Sequence, residues 1–323
     1  MKTKLFKTLL VSLVISLSSP VLAQDSIKQD TVRKRPRIAL ALGGGGARGA
    51  AHIGVLKVLE KNNLKPDLIV GNSMGAIIGS LYCAGIPPEK IEAMVHDGRV
   101  KKAFKPVPIP VQMFKKLGRA LIFWKKTYPG FYSGKSLAKF INEHIGEDHR
   151  FEDLKLPFAA VVVDFKDGKA YRIEEGDVGE AVRASSSFPP VFKPVEIEDH
   201  VYADGGIRAN LPTVPARNMG ADIVIAVNVN EKLHMMSKDE LKSYGSMINR
   251  MTSIIIAVRD EEHKDEADLI IHPDVSGISL LSIADKSYLK AIKSGEEATL
   301  KSLPEIKKLF NRARLSSRPD KLH

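Results

Sequence analysis

Short apolar runs alternate with stretches of helical spacing along most of the chain. Runs of about four to eight apolar residues are typical of buried strands, whereas apolar residues three and four positions apart are typical of helices. The predicted strands cover residues 37–42, 68–71, 157–164, 169–173, 201–203, 222–229 and 269–272. The predicted helices cover residues 47–61, 73–84, 133–145, 178–185, 241–258 and 285–300, with another from residue 87 onward. This alternation predicts an α/β fold with a mostly parallel, doubly wound sheet flanked by helices.

Four consecutive glycines at 43–46 join the first predicted strand to the first helix. Residues 44–49 (Gly-Gly-Gly-Ala-Arg-Gly) match the G-x-G-x-x-G pattern of dinucleotide-binding loops. Such a site also needs an acidic residue at the end of the second strand, where this chain has Gly-Asn-Ser at 71–73. Glycines let backbone amides approach any anion, so the loop also suits a developing oxyanion. A tight turn without a ligand is the remaining alternative.

A second motif follows the second predicted strand. Residues 71–75 read Gly-Asn-Ser-Met-Gly and match G-x-S-x-G, the nucleophile elbow of serine hydrolases. The flanking glycines leave room for a sharp turn, which would expose Ser73 at the positive end of a helix. We therefore interpret Ser73 as a nucleophile, although a serine that only caps the helix has the same position.

A serine nucleophile needs a base. Asp204 ends a predicted strand and precedes two glycines, so its carboxylate is a candidate, although Asp-Gly pairs are also common in ordinary turns. Serine hydrolases more often use a histidine, and His272 and His200 are the candidates for a Ser-His-Asp triad. The residues alone leave both possibilities open.

These motifs occur together and in order: Gly-Gly-Gly-Ala-Arg-Gly, Gly-Asn-Ser-Met-Gly and Asp-Gly-Gly. The combination resembles the patatin-like phospholipase family, and the likeness extends to residues 50–56, 183–189 and 204–212. It implies a three-layer patatin-like fold, a Ser–Asp dyad without a catalytic histidine, and an oxyanion hole from the glycine loop. One departure is Asn72, where the family often has threonine.

Carried over by position, the resemblance assigns each motif residue a role. The dyad is Ser73 and Asp204, and the oxyanion hole is formed by Gly44, Gly45 and Gly46. The supporting residues are Arg48, Gly71, Gly75, Gly205 and Gly206. No cofactor and no metal are expected, because the chemistry needs none and no Cys/His cluster offers a metal site. The lone cysteine, Cys83, lies in an apolar helical pattern and is interpreted as a buried side chain.

The first 23 residues have the composition of a secretory signal peptide. Lys2, Lys4 and Lys7 precede an apolar run at 9–17 that is too short to span a bilayer, and Val-Leu-Ala at 21–23 suits cleavage. We therefore expect an exported protein, periplasmic or secreted and peripheral on a membrane. The expected organisation is a signal peptide (1–23), a flexible leader (24–36), a patatin-like catalytic domain (37–310) with a lid or membrane-facing insertion (98–132), and a polar basic tail (311–323).

Positive charge is concentrated in residues 98–142, which we call the basic aromatic segment. It holds eleven Lys or Arg residues, no Asp or Glu, and eight of the chain's 20 aromatic residues, in a chain of net charge +11. Apolar and cationic residues interleave at near-helical spacing between 113 and 126, as in helices that lie in a lipid headgroup layer. We expect a lipid substrate at a membrane surface and no nucleic acid. A helix packed on the core with a solvated basic face is the alternative.

The hypothesis from sequence is a serine acyl-ester hydrolase that cleaves phospholipids or other lipid esters through an acyl-enzyme. Two alternatives stay open: a Ser-His-Asp esterase for soluble esters, and a catalytically inactive membrane-binding protein. The sequence does not indicate which lipid is cleaved or which oligomeric state the protein adopts.

Overall fold

The computed structural model describes residues 35–104, 128–189, 191–280 and 282–315. The strands are β1 (Ile38–Leu42), β2 (Leu68–Asn72), β3 (Phe158–Asp164), β4 (Ala170–Ile173), β5 (Val195–Ile197), β6 (His200–Asp204), β7 (Ile223–Val227) and β8 (Leu269–Ile271). The helices are α1 (Ala51–Lys61), α2 (Met74–Cys83), α3 (Pro88–His96), α4 (Arg99–Ala103), α5 (Lys135–Asn142), α6 (Val178–Ser185), α7 (Thr213–Asn218), α8 (Tyr244–His263) and α9 (Asp285–Leu315).

All of these strands belong to one sheet in the order β5-β6-β3-β2-β1-β7-β8, with β4 paired to β3. Strands β3, β2, β1, β7 and β8 are parallel, while β4 and β6 pair antiparallel with β3, and β5 with β6. From β1 the chain adds β2 and β3 on one side and later β7 and β8 on the other. The strand order therefore reverses at β1, which confirms the predicted doubly wound, mostly parallel sheet.

The alternation within β1, Ile-Ala-Leu-Ala-Leu, sets how helices cover the two faces of the sheet. Ile38, Leu40 and Leu42 point into the larger core, which includes buried residues of α1, α2 and α9. Ala39 and Ala41 point to the other face, where the smaller core includes a residue of α7. Because side chains alternate along a strand, this single run supplies both cores and is buried along its whole length.

Strand register places the chemistry-bearing loops at one edge of the sheet. Leu42, the last residue of β1, is level with Gly71 near the end of β2. Asn72 is level with Val161 of β3, and the neighbouring Val162 is level with Asp204 of β6. The chain after β1 and β2 therefore leaves the carboxyl ends of the parallel strands, where α/β sheets bind their ligands. Antiparallel β6 runs back from that edge and ends with Asp204 at the same level.

Several boundaries differ from the prediction. The helix predicted over 47–61 begins as a 3-10 turn, Gly46–Ala50, before α1. The last helix was expected to end at residue 300 and a polar tail to begin at 311, but α9 continues through Pro304 to Leu315. Buried Ile306 and Phe310 explain the extension, because burying such side chains offsets the cost of about 3 kcal/mol for an interior proline.

Some expectations fall on residues outside the described ranges. These are the signal peptide, nearly all of the leader, and residues 105–127 of the predicted insertion. The described ends of the basic aromatic segment are packed against the protein: Phe104 and Tyr132 both contact the ring of Phe192, at centroid distances of 5.8 and 5.7 Å. Phe140 of α5 is buried in the larger core.

Candidate active site

The turn between β2 and α2 holds Ser73 in a strained conformation. Its backbone has φ 52° and ψ −119°, a left-handed combination that costs a non-glycine residue about 1–3 kcal/mol. Its N–H donates to the hydroxyl oxygen of Ser185 at the end of α6, at a distance of 3.0 Å. The turn is tight enough that a Cβ on Gly71 would lie 2.5 Å from the carbonyl oxygen of Gly75, and one on Gly75 would overlap the Leu42 carbonyl. Both glycines of the motif are therefore required by close backbone approach.

Asp204 ends β6 with its side chain buried, at 5% exposure. Burial raises the pKa of the Asp204 carboxyl to about 6, and three hydrogen-bond donors oppose that rise. They are the N–H of Gly206, at 2.8 Å from Oδ1, the hydroxyl of Ser73 and the side-chain amide of Asn72. The side chains of Ser73 and Asp204 therefore meet, although they come from different strands.

Gly205 and Gly206 leave the space next to this carboxylate for the Asn72 side chain. A Cβ on Gly205 would lie 2.7 Å from Asn72 Oδ1, and one on Gly206 would lie 3.1 Å from Asn72 Nδ2. Their supporting role is to admit a neighbouring side chain and, for Gly206, to donate a hydrogen bond.

The glycine loop lies against the elbow. A Cβ on Gly44 would lie only 3.2 Å from the Cβ of Ser73. The N–H of Gly44 donates to the backbone oxygen of Asn210 at 3.3 Å. Gly44 therefore has no free N–H group, whereas the sequence predicted that all three glycines would offer one to an oxyanion. Within the described residues the amides of Gly45 and Gly46 have no acceptor. These two N–H groups are the ones left for an oxyanion.

Arg48 ties the loop to the rest of the protein. Its side chain is 1% exposed, and it donates from Nε to the Ile278 carbonyl at 2.6 Å and from Nη2 to Glu231 at 2.7 Å. Desolvation lowers the pKa of the guanidinium, and the charge of Glu231 opposes that fall. A buried, fixed guanidinium in this position holds the 3-10 turn that follows the glycines.

The sequence gives no signal for a role of His52, because in the usual order of hydrolase residues the histidine follows the serine. It is fully buried in α1, and its Nε2 lies 2.7 Å from the carbonyl oxygen of Gly43. Burial lowers the pKa of His52 to about 4, so the ring is neutral at pH 7 and Nε2–H donates to that carbonyl. The histidine thereby orients the first residue of the glycine loop.

A chain of side-chain amides also leads away from the dyad. Asn72 Nδ2 donates to Asn210 Oδ1 at 3.2 Å, and Asn210 Nδ2 donates to Asp260 of α8 at 3.3 Å. The sequence placed Asn210 in a family motif but gave it no role, and Asp260 lies in a stretch without a motif. Only the packing of α8 against the loop after β6 reveals the connection.

The two histidines proposed for a triad lie elsewhere. His200 begins β6, four residues or about 13 Å along the strand from Asp204, and its Nδ1 is 2.7 Å from Asp164 Oδ2. His272 follows β8, and β8 is separated from β2 by β1 and β7. The two strands therefore lie about 14 Å apart across the sheet. Within the described residues neither ring hydrogen-bonds to Ser73.

In the part of the chain that the structure describes, no group of three or more His, Cys, Asp or Glu side chains could hold a metal ion. None of the helices in that part combines the length and the apolar character that crossing a bilayer requires. Cys83 is fully buried, and burial raises the pKa of its thiol.

With this geometry in hand, comparison with known proteins identifies the family. The family model described as patatin-like phospholipase matches residues 40–217, more than half of the chain. The chain belongs to the patatin-like phospholipase family. The match begins in β1 and ends in α7, so it includes all three motifs.

Individual members of the patatin-like phospholipase family align over a similar region. An uncharacterized NTE family protein of Mycobacterium tuberculosis is 30% identical over 226 residues, which is 70% of this chain and 58% of that protein. Human patatin-like phospholipase domain-containing protein 6 is 34% identical over 219 residues, 66% of this chain and 14% of that protein. Lysophospholipase nte1 of Emericella nidulans is 30% identical over 244 residues. The chain therefore spans less than two thirds of the length of these relatives.

Among solved structures, VipD from Legionella pneumophila aligns with a TM-score of 0.48 and 16% identity, covering 84% of this chain and 67% of that one. Human GIVD cytosolic phospholipase A2 aligns with a TM-score of 0.45 and 11% identity, covering 88% and 59%.

Proposed function

We propose that this protein is a serine acyl-ester hydrolase that cleaves phospholipids or other lipid esters, with Ser73 as nucleophile and Asp204 as base. The observation that supports the proposal is the meeting of three groups at one edge of the sheet. They are a strained, partly exposed serine, a buried carboxylate that its hydroxyl hydrogen-bonds, and two backbone amides without an acceptor.

In the proposed first step the hydroxyl oxygen of Ser73 attacks the ester carbonyl carbon and its proton passes to Asp204. The carbonyl oxygen becomes an oxyanion, which the amides of Gly45 and Gly46 stabilise by about 3 kcal/mol each. The positive end of α2 adds to that field. The protonated Asp204 then gives its proton to the leaving alcohol, and an acyl-enzyme forms.

In the second step Asp204 accepts a proton from water as that water attacks the acyl-enzyme. Asp204 then returns the proton to the Ser73 oxygen as the ester bond breaks and the fatty acid leaves. A carboxyl group with a pKa near 6 suits both roles, because it is ionised at pH 7 yet basic enough to accept a proton. Neutral His52 does not contact Ser73 in the described residues: its Nε2–H donates to the Gly43 carbonyl, and its Nδ1 is buried without a hydrogen-bond partner there.

The lipid class of the substrate is proposed from the relatives. One of them is named a lysophospholipase and others carry the name patatin-like phospholipase, which favours a lipid ester over a small soluble ester. We further propose that the protein is exported and meets its substrate at a membrane surface through the basic aromatic segment. Weaker co-sedimentation with neutral than with anionic vesicles supports that contact, and equal binding to both argues against it.

The decisive experiment is hydrolysis of phospholipids of defined headgroup and acyl chains, with products identified by mass. Wild type should release fatty acid, and Ser73→Ala should release none. Ser80→Ala is the matched control, because Ser80 lies on the same helix and donates to the Ile77 carbonyl away from the dyad. Activity in Ser73→Ala would refute the proposal.

Histidine variants separate the dyad from a triad. His272→Ala and His200→Ala should keep hydrolysis within about twofold of wild type, because neither ring contacts Ser73 in the described residues. A loss of about a thousandfold or more in either variant would favour the Ser-His-Asp esterase. No labelling of Ser73 by a fluorophosphonate probe would favour the inactive membrane-binding protein.

A further inference from the structure

Asp260 is a buried carboxylate on the inner side of α8 that the proposed reaction does not use. It is 6% exposed, and the neighbouring Arg259 pairs with Glu262 instead of with it. Its oxygens accept from the side-chain amides of Asn228 at 3.0 Å, Asn210 at 3.3 Å and Asn230, and from the backbone N–H of Leu211. Burial raises the pKa of Asp260 to about 6, so the side chain is ionised and acts only as an acceptor at pH 7.

An acceptor at this position determines how the Asn210 side chain is turned. Nδ2 of Asn210 must face Asp260, and the same nitrogen lies 3.4 Å from the Gly44 carbonyl oxygen. Its other end, Oδ1, is then left facing Asn72 and accepts from Asn72 Nδ2 at 3.2 Å. The carboxylate thereby sets the orientation of one amide directly and of a second through it.

The orientation of Asn72 matters for the dyad. In this orientation its amide nitrogen faces the Asp204 carboxylate and lowers the pKa of that group. The two atoms flank the same point, since a Cβ on Gly206 would lie 3.0 Å from Asp204 Oδ1 and 3.1 Å from Asn72 Nδ2. The opposite orientation would direct Oδ1 at both Asp204 and Asn210 Oδ1, two acceptors. The present one leaves Asn72 Oδ1 buried without a partner in the described residues. A buried unpaired acceptor is unfavourable, so a neighbouring group must hold the amide this way.

We propose that Asp260 is a positioning residue for the Ser73–Asp204 dyad, because it fixes the orientation of Asn210 and Asn72 so that an N–H group of Asn72 faces Asp204. The same Asn210 side chain and backbone oxygen both contact Gly44, so the arrangement also holds the glycine loop beside Ser73. The proposal rests on the proposed function, since it concerns the base of that reaction.

The test is the pH dependence of kcat/KM for Asp260→Asn. The new amide keeps the volume but can no longer accept from four donors, so Asn210 and Asn72 are free to turn. We expect the acid limb of the profile to move up by about one pH unit, which corresponds to one hydrogen bond to a charged group, so that kcat falls about twofold at pH 7 and about tenfold at pH 5. KM should change little. Glu262→Gln, two residues further along α8 on its exposed side, is the matched control and should match wild type.

A second background separates positioning from simple structural support. Thr at position 72 has a hydroxyl that rotates freely, so in Asn72→Thr the further change Asp260→Asn should leave the acid limb where it is. The same shift in both backgrounds, or none in either, would overturn the inference. Circular dichroism of each variant confirms that it is folded. If Ser73→Ala retains activity, the proposed function itself is wrong. If Ser73→Ala is inactive and Asp260→Asn behaves as wild type, the proposed function stands and only the positioning role of Asp260 is wrong.

Discussion

The pH dependence of the proposed reaction follows from the burial of Asp204, its proposed base. Desolvation raises the pKa of its carboxyl from 3.8 to about 6, and the base works only when ionised. A raised pKa means that the folded protein favours the protonated form, so activity is lost as the pH falls through about 6. At pH 5 about one tenth of the molecules carry an ionised Asp204, whereas an ordinary aspartate would be about nine-tenths ionised.

The assay is the rate at which a fluorophosphonate modifies Ser73, measured from pH 4.5 to 8. This reaction needs the same proton transfer as acylation and does not depend on substrate binding at a lipid surface. The labelling rate should be constant above about pH 7 and half-maximal near pH 6. Below that it should fall about tenfold for each unit by which the pH is lowered. Asn72→Ala, which removes a donor that lowers the pKa of Asp204, should move the midpoint up by about one unit.

Unfolding in acid has to be separated from protonation of the base. The buried ring of His52 has a pKa lowered to about 4, so its contribution to stability is lost as the pH falls from about 6.5 toward 4. That loss is about 2 kcal/mol at pH 5. The raised pKa values of Asp204 and Asp260 act in the opposite direction, because protonation relieves two buried charges. Circular dichroism at each pH shows whether the fold is intact. A midpoint near 4 in a folded protein would refute Asp204 as the buried base.

Three further predictions concern the loop and the fold. Gly44→Ala should abolish labelling of Ser73 while the protein still folds, because the new Cβ would lie 2.5 Å from Asn72 Nδ2; labelling and circular dichroism are measured together. Glu231→Ala should lower the free energy of unfolding by about 2–3 kcal/mol, because it leaves the Arg48 guanidinium buried without its counter-charge; urea denaturation measures this, and a loss below about 1 kcal/mol would contradict it. Phe310→Ala should lower the free energy of unfolding by about 3–4 kcal/mol in the same assay, because its buried ring packs in the core; almost no loss would mean that this end of α9 does not pack there.

Much of the fold was predictable because local patterns determine it. The alternating β1 run, the strand with Val161 and Val162 in β3, and helix Val178–Ser185 all have the predicted type at nearly the predicted positions. Strand order was less accessible, since it depends on crossovers between distant segments. The extension of α9 past Pro304 also depends on distant contacts, because a proline argues locally for an end to the helix.

The candidate site divides in the same way. The motifs around Ser73 and Asp204 could be recognised because each is short and contains glycines that close backbone approach requires, and the family resemblance then paired the two residues as a candidate dyad. His52 and Asp260 could not, because their roles depend on the Gly43 carbonyl and the Asn210 amide, which only folding brings within reach. The occupied N–H of Gly44 was likewise hidden, since its acceptor lies in the loop after β6.

The central claim is that a hydroxyl, a carboxylate and two amides meet around one reacting atom. A crystal structure of the protein inhibited by a fluorophosphonate tests it most directly, because the phosphorus replaces the tetrahedral carbon of the intermediate. We predict a covalent bond from Ser73 to phosphorus, with one phosphonyl oxygen about 3 Å from the amide nitrogens of Gly45 and Gly46 and the Asp204 carboxyl next to the Ser73 oxygen. An adduct whose phosphonyl oxygen points away from both amides, or a carboxyl group beyond hydrogen-bonding reach of that oxygen, would contradict the account.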